Sequence, residues 1–212
     1  MQTRRLSAAL AVALAAVVTL SACSSSGTET QASATTPAAT TPSAPAADSA
    51  HNAADVAFAQ SMIPHHQQAV EMSDMLLAKQ GIDPQVVSLA DAIKAAQAPE
   101  IEQMQGWLDQ WGVPRTTSSS TMPSMPGHEM SGMSGGLGMM SEQDMAALQN
   151  ANGVEASRLF LSQMIQHHQG AIAMAKTEID SGQFPHAITL ARSIVSSQQQ
   201  EITTMQGMLA AR

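Results

Sequence analysis

Two pairs of neighbouring histidines lie in segments of the chain that repeat each other. Residues 58–72 read FAQSMIPHHQQAVEM, and residues 160–174 read FLSQMIQHHQGAIAM. The Phe, the Met-Ile, the His-His-Gln, the Ala and the last Met keep the same spacing in both copies. Thioethers select Cu(I) and imidazole binds both oxidation states of copper, so this combination of side chains favours a copper site.

A second repeat follows each histidine motif at nearly the same distance. The pattern Q-x-x-E-I-x-x-M occurs at residues 97–104 and again at residues 198–205. The repeating unit is therefore a pair of elements that has been duplicated once. Glu100 and Glu201 each precede a methionine by four residues, which makes them candidate ligands. The alternative interpretation is a half-exposed glutamate that binds no metal.

Apolar residues around the first histidine pair recur at spacings of three and four, which predicts an amphipathic helix rather than a strand. Asn52 is the expected N-cap of this helix, and Gly81 is expected to end it. Asp83 and Pro84 then predict the start of a second helix, which Gly112 ends. The inward stripe of the first helix contains Phe58, Met62, His65, Ala69, Met72 and Leu76.

The second half of the sequence repeats this plan, with helices predicted at about 154–180 and 185–211. A short helix that begins at Ser141 is expected before them, and Asn152-Gly153 separates it from the long one. Two hairpins and one long connection predict an all-α fold, a four-helix bundle with internal pseudo-two-fold symmetry. Pro99 lies inside the second predicted helix, so a kink is expected beside Glu100.

Neighbouring histidines on a helix point about 100° apart, so one of each pair can face the bundle interior while the other lies to its side. The first and third long helices are equivalent by symmetry, and their histidine pairs can therefore face one shared region. The alternative is that these are buried histidines and packing methionines without metal. The helical candidate ligands besides the two glutamates are Met62, His65, His66, Met72, Met104, Met164, His167, His168, Met174 and Met205.

The long connection at 112–140 contains a separate group of candidate ligands. Its methionines lie among Gly, Ser and Pro, without a periodicity that would bury them in a core. Such a segment is typical of a flexible binder of soft metals, although low-complexity drift is the alternative. The candidates in this segment are Met122, Met125, His128, Met130 and Met133, followed by Met139 and Met140.

The N-terminus predicts export and a lipid anchor. Residues 1–22 have two arginines and then an apolar run too short to span a membrane, as in a signal peptide. Leu20-Ser21-Ala22-Cys23 resembles a bacterial lipobox, so Cys23 is the expected lipidation site. Residues 23–51 are mostly Ser, Thr, Ala and Pro and predict a disordered stalk. The folded domain is then expected at 52–212, held at the extracytoplasmic face of the cell membrane.

The quoted motifs M-I-P-H-H-Q-Q-A and M-I-Q-H-H-Q-G-A, with Q-x-x-E-I-x-x-M, resemble the domain of unknown function 305 family. The resemblance covers about residues 52–209 outside the Met-rich connection. It implies a ferritin-like helical bundle and relatives among extracytoplasmic copper-binding proteins of the CopM type. It also implies a metal, copper, at the histidines and at Met62, Met72, Met164 and Met174.

Composition and motifs together limit the classes of function. The chain has nine Lys and Arg against seventeen Asp and Glu, which argues against nucleic acid as a partner. The leading hypothesis is a non-enzymatic lipoprotein that binds copper, as Cu(I) or Cu(II), to sequester, buffer or transfer it. The alternatives are a ferritin-like metal-dependent oxidase and a metal-free structural lipoprotein. The oxidase is disfavoured because its centres use Glu-x-x-His pairs, which the predicted helices lack.

Overall fold

The structure is a computed structural model that describes residues 50–114 and 138–211. Regular structure within these ranges is entirely helical, which confirms the all-α prediction. None of these helices combines the length and the apolar character needed to cross a membrane. The helices are α1 (Ala53–Leu77), α2 (Pro84–Gln110), α3 (Glu142–Asn150), α4 (Gly153–Ser181) and α5 (Pro185–Ala210).

Several features predicted from the sequence lie outside the described residues. They are the signal peptide at 1–22, the lipidation site Cys23, most of the stalk at 23–51, and the connection candidates Met122, Met125, His128, Met130 and Met133.

Local sequence explains where the helices begin. The Asn52 side chain accepts hydrogen bonds from the backbone N–H groups of Ala54 and Asp55, and the Asp55 carboxylate accepts one from the backbone N–H of Asn52. Ser141 and Asp144 form the same reciprocal cap at the start of α3. These caps satisfy N–H groups that have no partner within the helix.

Two prolines lie inside the long helices without ending them. α2 continues through Pro99 to Gln110, and α1 contains Pro64 directly before His65. A proline in a helix interior removes one backbone hydrogen bond and crowds the preceding turn. Each proline therefore lowers the stability of its own helix, Pro64 beside the first histidine pair and Pro99 beside Glu100.

The two hairpins meet along α1 and α4. α1 packs against α2, α4 packs against α5, and α1 and α4 pack against each other. The Asn52 side chain at the start of α1 donates a hydrogen bond to the Ser181 carbonyl at the end of α4, so these two helices are antiparallel. The histidine motifs consequently meet at the middle of the α1/α4 contact.

The histidines separate the core into two apolar clusters. The first cluster uses the C-terminal half of α1 and most of the N-terminal half of α4, and includes Met72, Phe160, Met164 and Met205. The second uses the opposite halves and includes Phe58, Met62, Met104 and Met174. The sequence positions of His65, His66, His167 and His168 fall between the two clusters on their helices.

The end of the long connection is part of the core, which differs from the sequence interpretation of Met140. Met140 is buried in the first apolar cluster. Its backbone N–H donates to the Gln68 side chain at 2.7 Å, and its carbonyl accepts from the same amide at 2.9 Å. Gly138 has φ of +76° and lies so close to α4 that an added Cβ would approach the Gln166 carbonyl to 2.6 Å. Residues 138–140 therefore form a fixed strap, so core packing accounts for Met140.

Candidate metal centre

Four imidazoles form a row across the middle of the molecule. The rings of His65 and His167 lie 3.7 Å apart between α1 and α4. His66 lies 6.5 Å from His65, and His168 lies 6.4 Å from His167, measured between ring centroids. All four side chains are at most 1% exposed. The structure therefore brings the two predicted histidine pairs together.

A glutamate on each outer helix lies at one end of this row. Glu100 Oε2 on α2 lies 2.7 Å from His66 Nε2, and Glu201 Oε2 on α5 lies 2.5 Å from His168 Nε2. The glutamate side chains are 20% and 22% exposed. Each carboxylate thus contacts both solvent and a buried imidazole, and the two contacts are related by the internal repeat.

The centre of the row disfavours positive charge. Burial lowers the pKa of His167 well below 6.5, and repulsion from the other three histidines lowers it further. A neutral imidazole retains a lone pair on one ring nitrogen, which is the form that binds a metal ion.

Several nitrogen atoms in the row are buried without a hydrogen bond. Nδ1 of His66, Nδ1 of His168 and both ring nitrogens of His167 make none of ordinary geometry with the described residues. Buried polar atoms are normally paired, so such atoms require an explanation such as an ion or a water. Imidazole nitrogens that lack a partner fit a metal such as copper.

Methionine side chains lie one helical turn from each outer histidine. Met62 precedes His66 by four residues on α1, and Met104 follows Glu100 by four residues on α2. α1 and α2 form a hairpin, so both methionines lie on the same side of the His66–Glu100 contact. Both are completely buried in the second apolar cluster.

The repeat produces an equivalent arrangement in the other hairpin. Met164 precedes His168 by four residues, Met205 follows Glu201 by four, and both are completely buried in the first apolar cluster. We call these two sets half-sites. The first half-site contains His66, Glu100, Met62 and Met104, and the second contains His168, Glu201, Met164 and Met205.

Met72 and Met174 lie farther from the histidines than the sequence stripe suggested. Each follows its motif histidine by seven residues, which places it about 10 Å along the helix axis. Met174 lines a cavity with Phe58 and Glu178 near the end of the bundle. Met72 packs in the first apolar cluster beside the residues that contact α3. These two predicted ligands are not brought to the imidazole row.

No group of three or more His, Cys, Asp or Glu side chains in residues 50–114 and 138–211 converges closely enough to hold an ion. An ion bound in this part of the chain therefore needs thioether ligands or a small rearrangement of the side chains. The methionines are the additional candidate ligands that lie within one helical turn of the outer histidines or their glutamates.

Two glutamines near the row received no role in the sequence interpretation. Gln97 and Gln198 are 2% and 3% exposed, and their amide oxygens have no hydrogen-bond partner among the described residues. They occupy equivalent positions in the two copies of Q-x-x-E-I-x-x-M. Their recurrence in both copies of the repeat could have marked them as buried polar residues, since glutamine is mostly exposed and a buried polar side chain normally has a partner.

Comparison with known proteins places this arrangement in a family. A profile described as "Domain of unknown function (DUF305)" matches residues 55–209. A DUF305 fragment from Deinococcus radiodurans is 35% identical, with a TM-score of 0.63 over 76% of this chain and 98% of the fragment. A putative secreted DUF305 protein from Streptomyces coelicolor is 36% identical, with a TM-score of 0.64 over 74% of this chain and 93% of that one.

Structures of CopM are also similar. The Cu(I)-bound form is 29% identical, with a TM-score of 0.59 over 74% of this chain and 96% of CopM. CopM structures also exist in Cu(II)-bound, Ag-bound and apo forms. No curated protein matches this sequence significantly. The profile match across most of the helical domain confirms the resemblance seen in the motifs, and the chain belongs to the DUF305 family.

Proposed function

We propose that this protein binds copper in its helical domain, at two half-sites related by the internal repeat. The observation that carries the proposal is the buried imidazole row, with unpaired nitrogens on His66, His167 and His168 and with completely buried methionines one turn away. His66 with Met62 and Met104 would hold one ion, and His168 with Met164 and Met205 would hold the other. His65 and His167 lie between them and can serve either half-site.

The chemistry of these side chains favours copper over a harder metal. Thioether sulfur prefers Cu(I), and imidazole also accepts Cu(II), whereas iron and manganese prefer several carboxylate oxygens. CopM, a relative with the same fold, has been crystallised with Cu(I), Cu(II) and Ag. These metal-bound structures of a relative support the proposal of a copper site in this chain.

The role that fits these features is non-enzymatic sequestration, buffering or transfer of copper outside the cytoplasm. Methionine is a suitable soft ligand there, because free cysteine thiols are oxidised in such compartments.

The proposed anchor is the lipid on Cys23. Cys23→Ala is expected to move the protein from the membrane fraction to the soluble fraction, and unchanged membrane association would exclude this anchor.

Copper binding is tested by replacing the outer histidines with leucine, which is apolar and of similar size. The background is a variant in which Met122, Met125, His128, Met130 and Met133 are serine, so that these five residues contribute no Cu(I) binding. His66→Leu and His168→Leu should each lower Cu(I) affinity by more than the ~10- to 100-fold typical of losing an outer-shell partner. The double variant should lose the helical sites. Competition with a chromophoric Cu(I) chelator gives the affinity, and circular dichroism reports folding.

His186→Leu is the matched control, since His186 is an exposed histidine at the end of the bundle. It should leave the affinity unchanged. A folded double variant that binds Cu(I) as tightly as its parent would contradict the proposal.

A further inference from the structure

The contacts at the two ends of the imidazole row distinguish residues that could bind a metal from residues that could orient its ligands. Glu100 and Glu201 were both candidate ligands in the sequence. In the structure each carboxylate instead lies within hydrogen-bond distance of an imidazole Nε2, at 2.7 and 2.5 Å. The same arrangement occurs twice, in two hairpins whose sequences have diverged at many other positions.

We propose that Glu100 and Glu201 are positioning residues that direct the metal to Nδ1 of His66 and His168. This inference rests on the proposed function, and it assigns the ligand atom within each half-site. An ionised carboxylate can only accept a hydrogen bond. Nε2 therefore carries the hydrogen and donates it to the glutamate.

The surroundings of Nδ1 support the same assignment. In both His66 and His168, Nδ1 is buried and has no hydrogen-bond partner among the described residues. A hydrogen on Nδ1 would therefore be a buried donor without an acceptor, which proteins avoid. With the hydrogen on Nε2, the Nδ1 lone pair remains available to a metal ion.

The methionine positions are consistent with an ion at Nδ1. Met62 and Met164 each precede their histidine by four residues, and such helix neighbours have Cβ atoms about 5–6 Å apart. Helical side chains lean toward the N-terminus, which is the direction of these methionines. Carboxylates that accept the second N–H of a metal-binding histidine recur in metalloproteins, where they set the tautomer and ring orientation.

The partial exposure of the glutamates also fits an orienting role. The glutamate side chains are 20% and 22% exposed, so each carboxylate is in contact with solvent. A carboxylate that solvent can reach does not need a bound metal ion to offset the cost of burying its charge. The imidazoles have no such contact with solvent, since all four are at most 1% exposed.

Nitrogen NMR of the ¹⁵N-histidine-labelled full chain tests this inference before any metal is added. The apo protein should show His66 and His168 with the hydrogen on Nε2. Adding Cu(I), which is diamagnetic, should shift Nδ1 while the Nε2–H signal remains. A hydrogen on Nδ1 in the apo protein, or loss of the Nε2–H signal on binding, would overturn the assignment.

Variants of one half-site use the other as an internal standard. Glu100→Leu should give His66 a mixture of tautomers and lower Cu(I) affinity of the first half-site by ~10- to 100-fold, with His168 unchanged. Glu100→Gln keeps an acceptor oxygen and should restore most of both properties. Glu102→Leu removes an exposed carboxylate of the same helix and should change neither. An equal loss with Gln and Leu would indicate direct coordination by the carboxylate.

The two proposals fail in different ways. Wild-type protein that binds no Cu(I) overturns the proposed function and this inference with it. Wild-type protein that binds Cu(I) through Nε2 overturns the inference alone.

Discussion

The buried and half-buried carboxyl groups of this protein make two kinds of contact, one with imidazoles and one with another carboxyl group. Glu100 and Glu201 face buried imidazoles at the ends of the row. Asp55 and Glu178 instead face each other at the end of the bundle, where Asp55 accepts hydrogen bonds from the backbone N–H groups of Gln183 and Phe184. Asp55 therefore joins the start of α1 to the connection between α4 and α5.

The proton of this acidic pair belongs to Glu178. Burial, the hydrogen bond with Asp55 and the charge of Asp55 together raise the pKa of Glu178 to about 8. The pKa of Asp55 is lowered even though burial acts to raise it, because Glu178 and three backbone N–H groups donate to its carboxylate. Two adjacent buried carboxyls share one proton because two negative charges repel each other.

A pH-dependent stability follows from the Glu178 proton. The folded state holds this proton more tightly than the unfolded chain, where the glutamate pKa is near 4.5. This contribution to the free energy of unfolding is complete below pH 4.5 and is lost as pH rises toward 8, by at most about 1.4 kcal/mol per pH unit. Urea denaturation from pH 5 to 9 should show this decline in the wild type.

Glu178→Gln mimics the protonated acid and should remove most of the decline, so that the variant is the more stable protein at pH 8. Asp180→Asn changes an exposed carboxyl on the same helix and should retain the decline. Identical pH profiles for wild type and Glu178→Gln would show that Glu178 is ionised in the folded protein at neutral pH.

The helices differ most at their interior prolines. Pro99 in α2 corresponds to Gln200 in α5, and Pro64 in α1 corresponds to Gln166 in α4. Both prolines therefore belong to the first hairpin, directly before Glu100 and His65. The sequence predicted a kink at Pro99, beside Glu100, and no prediction was made for Pro64.

Pro99→Gln should stabilise α2, because it restores a backbone N–H donor and removes the clash with the preceding turn. The side chain is exposed, so no core contact is lost. The expected gain in the free energy of unfolding is about 1–3 kcal/mol by chemical denaturation. Gln200→Pro is the reciprocal control and should destabilise α5 by a similar amount. A neutral or destabilising Pro99→Gln would show that the local backbone depends on the proline.

At the scale of the whole helical domain, the described residues are less symmetric than the sequence repeat. At one end of the α1/α4 groove, α3 buries Leu148 and Asp144 accepts a hydrogen bond from the Gln163 side chain. The equivalent groove at the other end has no such helix among the described residues. It contains a cavity of about 230 Å³ lined in part by Phe58, Ser61 and Met174.

We predict different roles for the methionines of the long connection: Met140 packs in the core, and those at 122–133 bind metal. Met140→Ala should lower the free energy of unfolding by about 2–5 kcal/mol, because the side chain is buried in the first apolar cluster. Serine at Met122, Met125, His128, Met130 and Met133 should instead lower the number of Cu(I) ions bound without changing the melting temperature of the apo protein. Metal analysis and thermal unfolding measure the two effects. Loss of stability in the serine variant would assign a packing role to those residues.

The sequence alone determined the helices, the duplication and the type of candidate ligand. Helix periodicity and caps such as Asn52 and Ser141 are local, and so they can be read without the fold. The family follows from the same motifs, because the doubled His-His pattern is itself specific. The histidines and methionines predicted soft-metal chemistry from their types and spacing alone.

Only the tertiary structure decided which of these residues meet. The seven-residue spacing of Met72 and Met174 put them on the histidine stripe, about 10 Å along the helix axis, and the packing of the helices places them in the two apolar clusters on either side of the row. The contact of Glu100 with His66 depends on the register between two helices, which no local pattern encodes. The sequence placed Met140 among the soft-metal candidates of a flexible connection, whereas in the structure its side chain is buried and its backbone is hydrogen-bonded to Gln68. Contacts between distant segments are set by packing of the whole core, and for that reason the sequence could supply the candidate ligands but not their contacts.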